Sequence, residues 1–194
     1  TTVKHNGTTL TASNVSNNVK TYSYTIGLGN TFTITTADIA CTTTLNQSIT
    51  TLNLADNTVG STETFTVTPK AGNYITGATI NGVTIAGTAV SGKTDGTKSF
   101  SFTVKESNAV TINTAAIAYT KPTGSGFATN LPDNLNDKTL GSTVDFWVKP
   151  TDNGNCYHVT YNNVTLTPTT TDADKTKHYT FTVGMNNTLS VSTP

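Results

Sequence analysis

The chain has 194 residues, a formal net charge of +0 and a charged fraction of only 11%. All 11 basic residues are lysine, so the chain has neither the arginine fork that grips phosphate nor a basic stripe that would neutralise a nucleic-acid backbone. No apolar run approaches the roughly 20 residues that a membrane-spanning helix needs. We therefore expect neither nucleic-acid binding nor membrane insertion.

The first predicted strands lie in residues 1–38. Asn6-Gly7 is a hairpin turn signal. Large apolar side chains occupy every second position in two stretches, with small polar residues between them. They are Tyr22, Tyr24, Ile26, Phe32 and Ile34. A period of two predicts strands with one buried and one wet face.

The following strands occur in two copies of one pattern. Gly60-Ser-Thr-Glu-Thr-Phe-Thr-Val-Thr-Pro69 returns as Gly141-Ser-Thr-Val-Asp-Phe-Trp-Val-Lys-Pro150. Alternating apolar residues continue through both copies, at Phe65, Val67, Ala78, Ile80, Phe100, Phe102, Val104, Val110 and Ile112, then at Phe146, Val148, Val159, Tyr161, Tyr179, Phe181, Val183, Leu189 and Val191. Turns are expected between strands at Asn81-Gly82, Asp95-Gly96, Asp152 to Gly154, Asn162-Asn163 and Asn186-Asn187.

This repetition predicts an all-β fold of tandem small β-sandwiches, Ig-like or β-grasp-like. Threonine, at about a quarter of the chain, suits the wet faces of such sheets. Boundaries near residues 38 and 116 define two full units, residues 39–115 and 116–194. Residues 1–38 match only the second half of a unit.

A half-unit poses a physical problem, because it would expose unpaired strand edges and an uncovered apolar face. One explanation is that the chain was cut from a longer one. The other is strand donation by a neighbouring molecule, with copies of the chain itself or other surface proteins as partners.

No enzyme constellation can be assembled from the reactive residues. The three histidines, His5, His158 and His178, form no metal-binding or nucleophile motif. Asp172 and Asp174 are the one close acid pair, and they supply too few oxygens to hold calcium unaided. We expect no catalytic residues, no metal site and no cofactor.

The two cysteines, Cys41 and Cys156, lie at positions that do not correspond in the repeat. A disulfide-stapled domain would show an even set of cysteines inside each unit. Two buried free thiols are one reading. An intramolecular bridge is the other.

A candidate ligand site centres on Trp147, which replaces Thr66 of the first copy. Its parity is opposite to that of the apolar residues on either side, so it should point outward between Asp145 and Lys149. His158 and His178 share this wet parity on strands expected to lie nearby. An exposed tryptophan among polar groups is a platform for a sugar ring or a partner protein. The alternative is that Trp147 fills a gap between the units.

The repeated motifs resemble the short β-rich repeats of Gram-positive cell-surface proteins, in particular divergent internalin-type B repeats and Listeria-Bacteroides repeats. The matching residues are Gly60, Phe65, Val67, Pro69, Gly72, Tyr74, Asn81, Gly82, Phe100, Phe102 and Val104, with Gly141, Phe146, Val148, Pro150, Asn162, Tyr179, Phe181 and Val183 in the second copy. The resemblance implies a small sandwich or β-grasp-like module in an exported surface protein, and it brings no catalytic residues.

We expect a non-enzymatic, secreted, extracellular protein that acts as a structural or adhesive element of a bacterial surface, such as a stalk, surface layer or filament subunit. One alternative is a carbohydrate-binding module that uses Trp147, with a glycan as partner. A further alternative is a phage virion decoration or fibre protein.

Overall fold

A computed structural model describes residues 1–16, 19–44, 48–49, 52, 54, 57–151 and 157–192. These residues form strands, turns and bends without any helix, which confirms the all-β prediction for the described part of the chain. Within the same residues there is accordingly no helical segment able to cross a membrane.

Eight strands form a first sheet pair. They are β6 (Ala40–Thr44), β7 (Ser48–Ile49), β8 (Thr62–Thr68), β9 (Asn73–Ile80), β10 (Val83–Ile85), β11 (Thr88–Ala89), β12 (Lys98–Thr103) and β13 (Ser107–Ala116). The strand orders are β10-β9-β13-β6 and β11-β12-β8-β7. All neighbours are antiparallel except β6, which runs parallel to β13.

The next eight strands form a second sheet pair. They are β14 (Ala118–Thr120), β15 (Phe127–Thr129), β16 (Thr143–Pro150), β17 (His158–Tyr161), β18 (Val164–Thr165), β19 (Thr170–Thr171), β20 (Lys177–Thr182) and β21 (Asn186–Ser192). The orders are β18-β17-β21-β14 and β19-β20-β16-β15. Adding eight to each strand number of the first pair reproduces these orders, including the parallel contact, here between β14 and β21.

Each sheet pair encloses its own core because the alternating apolar residues of both sheets face each other. In the first pair the cluster includes Phe65 at 4% and Phe100 at 2% exposure, with stacked rings. In the second pair the counterparts Phe146 and Tyr179 are both 2% exposed and stack in the same way. The period-two prediction is therefore confirmed for these strands.

Residues 1–38, here called the N-terminal segment, form two smaller sheets. The strands are β1 (Thr2–His5), β2 (Thr8–Thr9), β3 (Asn14–Ser16), β4 (Val19–Thr21) and β5 (Phe32–Thr35), in the orders β2-β1-β5 and β3-β4. Adding eight to each strand number gives β10-β9-β13 and β11-β12, which are parts of the two strand orders in the first sheet pair. Among the described residues, the segment has no counterparts of β6, β7 and β8.

The strand predicted through Tyr22, Tyr24 and Ile26 is wrong. The paired strand is Val19–Thr21, and residues 22–26 are irregular. In the first sheet pair the corresponding residues lie in or next to β12, which is hydrogen-bonded along its length to β8. Among the described residues of the N-terminal segment there is no such neighbour, so the same alternation forms no ladder.

A tight turn recurs three times, at Asn6, Asn81 and Asn162. Each asparagine has a positive φ, of 49°, 51° and 48°, which asparagine tolerates better than most residues. The backbone N–H of the asparagine donates to the carbonyl of a residue in, or just before, β5, β13 or β21. Its Oδ1 accepts from the N–H of that same residue. The partners are Thr31, Ala109 and Thr188.

A second asparagine anchors the opening strand of each sheet pair. Asn108, 2% exposed, accepts from the N–H of Lys105 and donates Nδ2 to the Lys105 carbonyl and, at 3.2 Å, to the Ala40 carbonyl in β6. Asn187, 1% exposed, repeats this with Gly184 and, at 2.9 Å, with the Ala118 carbonyl in β14. Asn187 belongs to β21, so the predicted turn at Asn186-Asn187 is wrong. The predicted turn at 152–154 lies outside the described residues.

The two sheet pairs are in direct contact. Gly72 donates its N–H to the Lys138 carbonyl at 2.7 Å and accepts from the Ile117 N–H at 2.8 Å. Tyr74, from the first pair, packs against the core of the second. Gly141 lies close to Thr94. A Cβ added to Gly141 would be 2.7 Å from both the Cβ and the carbonyl oxygen of Thr94. This junction therefore combines hydrogen bonds with close packing.

Candidate functional site

The outer face of β16 carries the predicted ligand site. Val144, Phe146 and Val148 are buried in the second core, so Asp145, Trp147 and Lys149 point away from it. Asp145 and Lys149 are exposed, and Trp147 is partly buried. The predicted outward parity of Trp147 is confirmed.

The backbone of Trp147 is held by a neighbouring loop. Its N–H donates to Oδ1 of Asn130 at 2.7 Å, and its carbonyl accepts from Oγ1 of Thr129 at 2.6 Å. Opposite on β20, Trp147 pairs in register with His178, and Asp145 pairs with Thr180. These contacts fix the strand on both sides and give the indole a rigid base.

A shallow depression of about 300 Å³ opens beside the indole. Its lining includes Asp145, Trp147 and His178, together with Asn130, Thr169 and Thr170. The structure thus brings together three of the five predicted site residues. It adds an amide and two threonines that lie outside the alternating strand pattern, in connectors and the short strand β19, where the sequence offered no signal.

Two basic side chains near the depression, His178 and Lys149, are paired with acids. His178 Nε2 lies 2.9 Å from Asp172 Oδ2, and Lys149 Nζ lies 2.8 Å from Asp174 Oδ2. The hydrogen bond from Lys149, with further bonds from Thr176, lowers the pKa of Asp174 to about 2. Asp172 and Asp174 are thus each engaged by a side chain of the protein itself. Among the described residues, no three acids, histidines or cysteines are arranged to hold a metal.

His158 does not belong to this site. It is exposed on β17, between buried Tyr157 and Val159. Strand β17 pairs with β18 and β21, whereas Trp147 and His178 belong to the other sheet. The expectation that the two histidines lie on nearby strands is wrong, because matching parity in two facing sheets places side chains on opposite outer surfaces.

Cys41 is a free, partly buried thiol in β6. Burial raises its pKa, and the nearby charge of Glu63 adds to this rise. Because Cys41 is free, the alternative of an intramolecular bridge between the two cysteines is wrong. Cys156 itself lies outside the described residues.

The groups around the depression are suited to contact a ligand. They include an aromatic ring, an amide, hydroxyls and Asp145, which are groups that stack on and hydrogen-bond to neutral polyhydroxylated ligands. Comparison of the chain with protein-family models, with curated proteins and with solved structures finds no significant match in any of the three.

Proposed function

We propose that the chain is a non-enzymatic, extracellular structural element of a bacterial surface that carries tension along its length. In this proposal, residues 39–115 and 116–194 are tandem β-sandwich units and residues 1–38 are a half-unit. The recurrence of strand order at an interval of eight supports the tandem reading. The resemblance to Gram-positive surface repeats supports the location.

The observation that carries the proposal is the parallel pairing of the first and last strands of each unit. Strand β6 lies beside β13 over five residue pairs, from Ala40–Ser107 to Thr44–Thr111. The chain enters at the start of β6 and leaves at the end of β13. Tension on the two ends therefore slides these strands past each other and loads all their hydrogen bonds at once.

The same geometry recurs in the second unit, where β14 lies parallel to β21. Asn108 and Asn187 add a side-chain bond to the opening strand in each case. A ladder loaded in shear must break its bonds together, whereas an unzipped ladder breaks them one by one. Both units are therefore built to resist force applied through the chain ends.

Single-molecule force measurement tests this proposal. A chain held at residues 1 and 194 should show two high-force unfolding events, each releasing roughly 250 Å of chain. The matched control uses the Asp38→Cys and Glu106→Cys chain, with Cys41→Ser and Cys156→Ser, held at the two new thiols. These positions adjoin the paired starts of β6 and β13, so the ladder should unzip at much lower force.

Equal forces in the two geometries would contradict the proposal. So would a single gradual extension without separate events, because it would mean that the units do not resist tension as independent sandwiches.

A second candidate function, carbohydrate binding, is favoured by the depression beside Trp147. An indole on a strand whose backbone N–H is held by Asn130, with threonine hydroxyls beside it, matches what a sugar ring requires for stacking and hydrogen bonding. In this second candidate function, the unit acts as a spacer along the chain and also binds a glycan.

Binding to a polysaccharide panel tests the second candidate. If it holds, Trp147→Ala should lose at least about ten-fold in affinity, since aromatic contacts of this kind are worth roughly 1 kcal/mol or more beyond their area. The control, His158→Ala, lies on the opposite outer face and should bind normally. Absence of binding to every glycan, or equal loss in both variants, would remove this candidate.

A further inference from the structure

The N-terminal segment is folded as the closing half of a unit. Its Asn6 turn makes the same two hydrogen bonds, to Thr31, that Asn81 makes to Ala109. Its sheets repeat the orders of β9 to β13. In the part of the segment that the structure describes, no strand takes the place that β6 has beside β13, and none takes the places of β7 and β8.

The apolar face that such strands would cover is exposed. The side chains of Tyr24, Ile26, Phe32 and Ile34 are 47%, 78%, 45% and 67% exposed. Their counterparts, 78 positions later, are buried. They are Phe102 (8% exposed), Val104 (1%), Val110 (1%) and Ile112 (6%). The same pattern is thus a core where the opening strands are present and a surface where they are absent.

Asn30 makes the same local hydrogen bonds as the two asparagines that bind an opening strand. Like Asn108 and Asn187, it accepts from the N–H of the residue three positions back, Gly27, and donates Nδ2 to the Gly27 carbonyl. In the complete cases Nδ2 also donates to the opening strand, at Ala40 or Ala118. Asn30 makes no such bond among the described residues.

A groove of about 650 Å³ lies where the missing strands would pack. Its lining includes Val3, Tyr22 and Ile34, whose counterparts in the first sheet pair are core residues. Val59 and Glu106 of the first sheet pair complete one wall. Glu106 is held there by Lys20 at 2.5 Å, so the groove is continuous with the junction to the next unit.

We propose that residues 1–38 are an acceptor for the opening strand of a unit of this same kind. The strand adds parallel to β5, as β6 and β14 add to β13 and β21. Its recognition chemistry is an Ile-Ala-x-Thr segment, with the alanine carbonyl bonded to Asn30 Nδ2 and the alanine N–H bonded to the Leu28 carbonyl. The inference rests on the proposed function, because it names the partner through which such units would join.

The register follows from the complete units. Ala118 lies opposite Asn186 and Tyr119 opposite Asn187, so an added strand of this sequence places its alanine opposite Gly29 and its tyrosine opposite Asn30. In β14 the Ala118 N–H donates to the Met185 carbonyl at 2.9 Å. The equivalent carbonyl in the acceptor belongs to Leu28.

The test uses the full chain and a labelled synthetic peptide of residues 115–121. We expect saturable binding, and binding about ten-fold weaker to the Asn30→Ala chain, because one hydrogen bond is lost. A peptide carrying Ala118→Pro lacks the N–H for Leu28 and should bind the unaltered chain at least as weakly. This second comparison does not depend on how the Asn30→Ala chain folds.

Orientation is tested by a nitroxide on the peptide. A label at its C-terminus should broaden the NMR signals of Thr33 to Thr35, and a label at its N-terminus those of Tyr24 to Gly27. Antiparallel broadening, equal affinity of the proline peptide or absence of binding would overturn the inference. Dimerisation in which residues 1–38 of two copies pack face to face would also overturn it, because the second copy's apolar face, and not an opening strand, would then be the occupant.

These outcomes separate the two proposals. Failure of the peptide to bind, with high unfolding forces retained, would remove the acceptor site and leave the tension-bearing role standing. Low forces with peptide binding intact would do the reverse.

Discussion

Asn108→Ala should lower the free energy of unfolding of the first sheet pair by about 3 kcal/mol, since it removes three part-buried hydrogen bonds, each worth roughly 1 kcal/mol. The alanine would strand the N–H and carbonyl of Lys105 and the carbonyl of Ala40, all of which Asn108 now satisfies. Urea unfolding with hydrogen exchange read at individual amides measures this loss. The amides of β6 should lose protection first, because Asn108 ties that strand to the closing loop.

Asn30→Ala is the matched control for this prediction. Asn30 makes the same local bonds to Gly27 but is exposed, so water replaces them and the cost should stay below about 1 kcal/mol. Comparable losses in the two variants would mean that the local bonds to the preceding loop, and not the contact to the opening strand, determine the stability.

Gly72→Ala should separate the two sheet pairs. A Cβ at this position would lie 2.8 Å from the Asn136 carbonyl oxygen and 2.9 Å from its Cα, and backbone atoms cannot swing aside as a flexible side chain can. Gly72 also has a φ of 75°, which costs an alanine roughly 1 to 2 kcal/mol. We expect a total loss of about 3 kcal/mol, combining this strain with the overpacking, and separate denaturant midpoints for the two cores.

Gly92→Ala isolates the clash from the backbone strain. Gly92 has the same φ of 75°, but a Cβ there would meet nothing within 4 Å. Its cost should therefore be only about 1 kcal/mol, with both cores still unfolding together. If Gly92→Ala uncouples the cores equally, the junction does not depend on the close approach at Gly72.

Strand content was predictable wherever the apolar alternation meets a partner strand. Phe65 and Val67, like Phe146 and Val148, lie in long strands with their side chains buried, because period two reports a face that some neighbour covers. Tyr22, Tyr24 and Ile26 show the same period without forming a ladder. Periodicity describes one strand, whereas a ladder is a property of two.

The hydrogen-bonding asparagines escaped prediction for a different reason. Asn186-Asn187 looks like a turn because asparagine favours turns, and only the three-dimensional position reveals that Asn187 is buried and bonded to Ala118. One signal was available in the sequence. Asn30 and Asn108 are 78 residues apart, and the same interval separates the aromatic stretches that precede them, for example Tyr24 and Phe102. The candidate site was predictable on β16 and β20, and was mispredicted at His158, because parity does not tell which of two facing sheets a strand joins.

Pairing the first strand of each sheet pair with its last has a consequence for synthesis. The partners Ala40 and Ser107 are separated by most of the unit, and such distant contacts close late and slowly. Each sheet pair emerging from a ribosome therefore stays open until its final strand is out, and only then can the parallel ladder close.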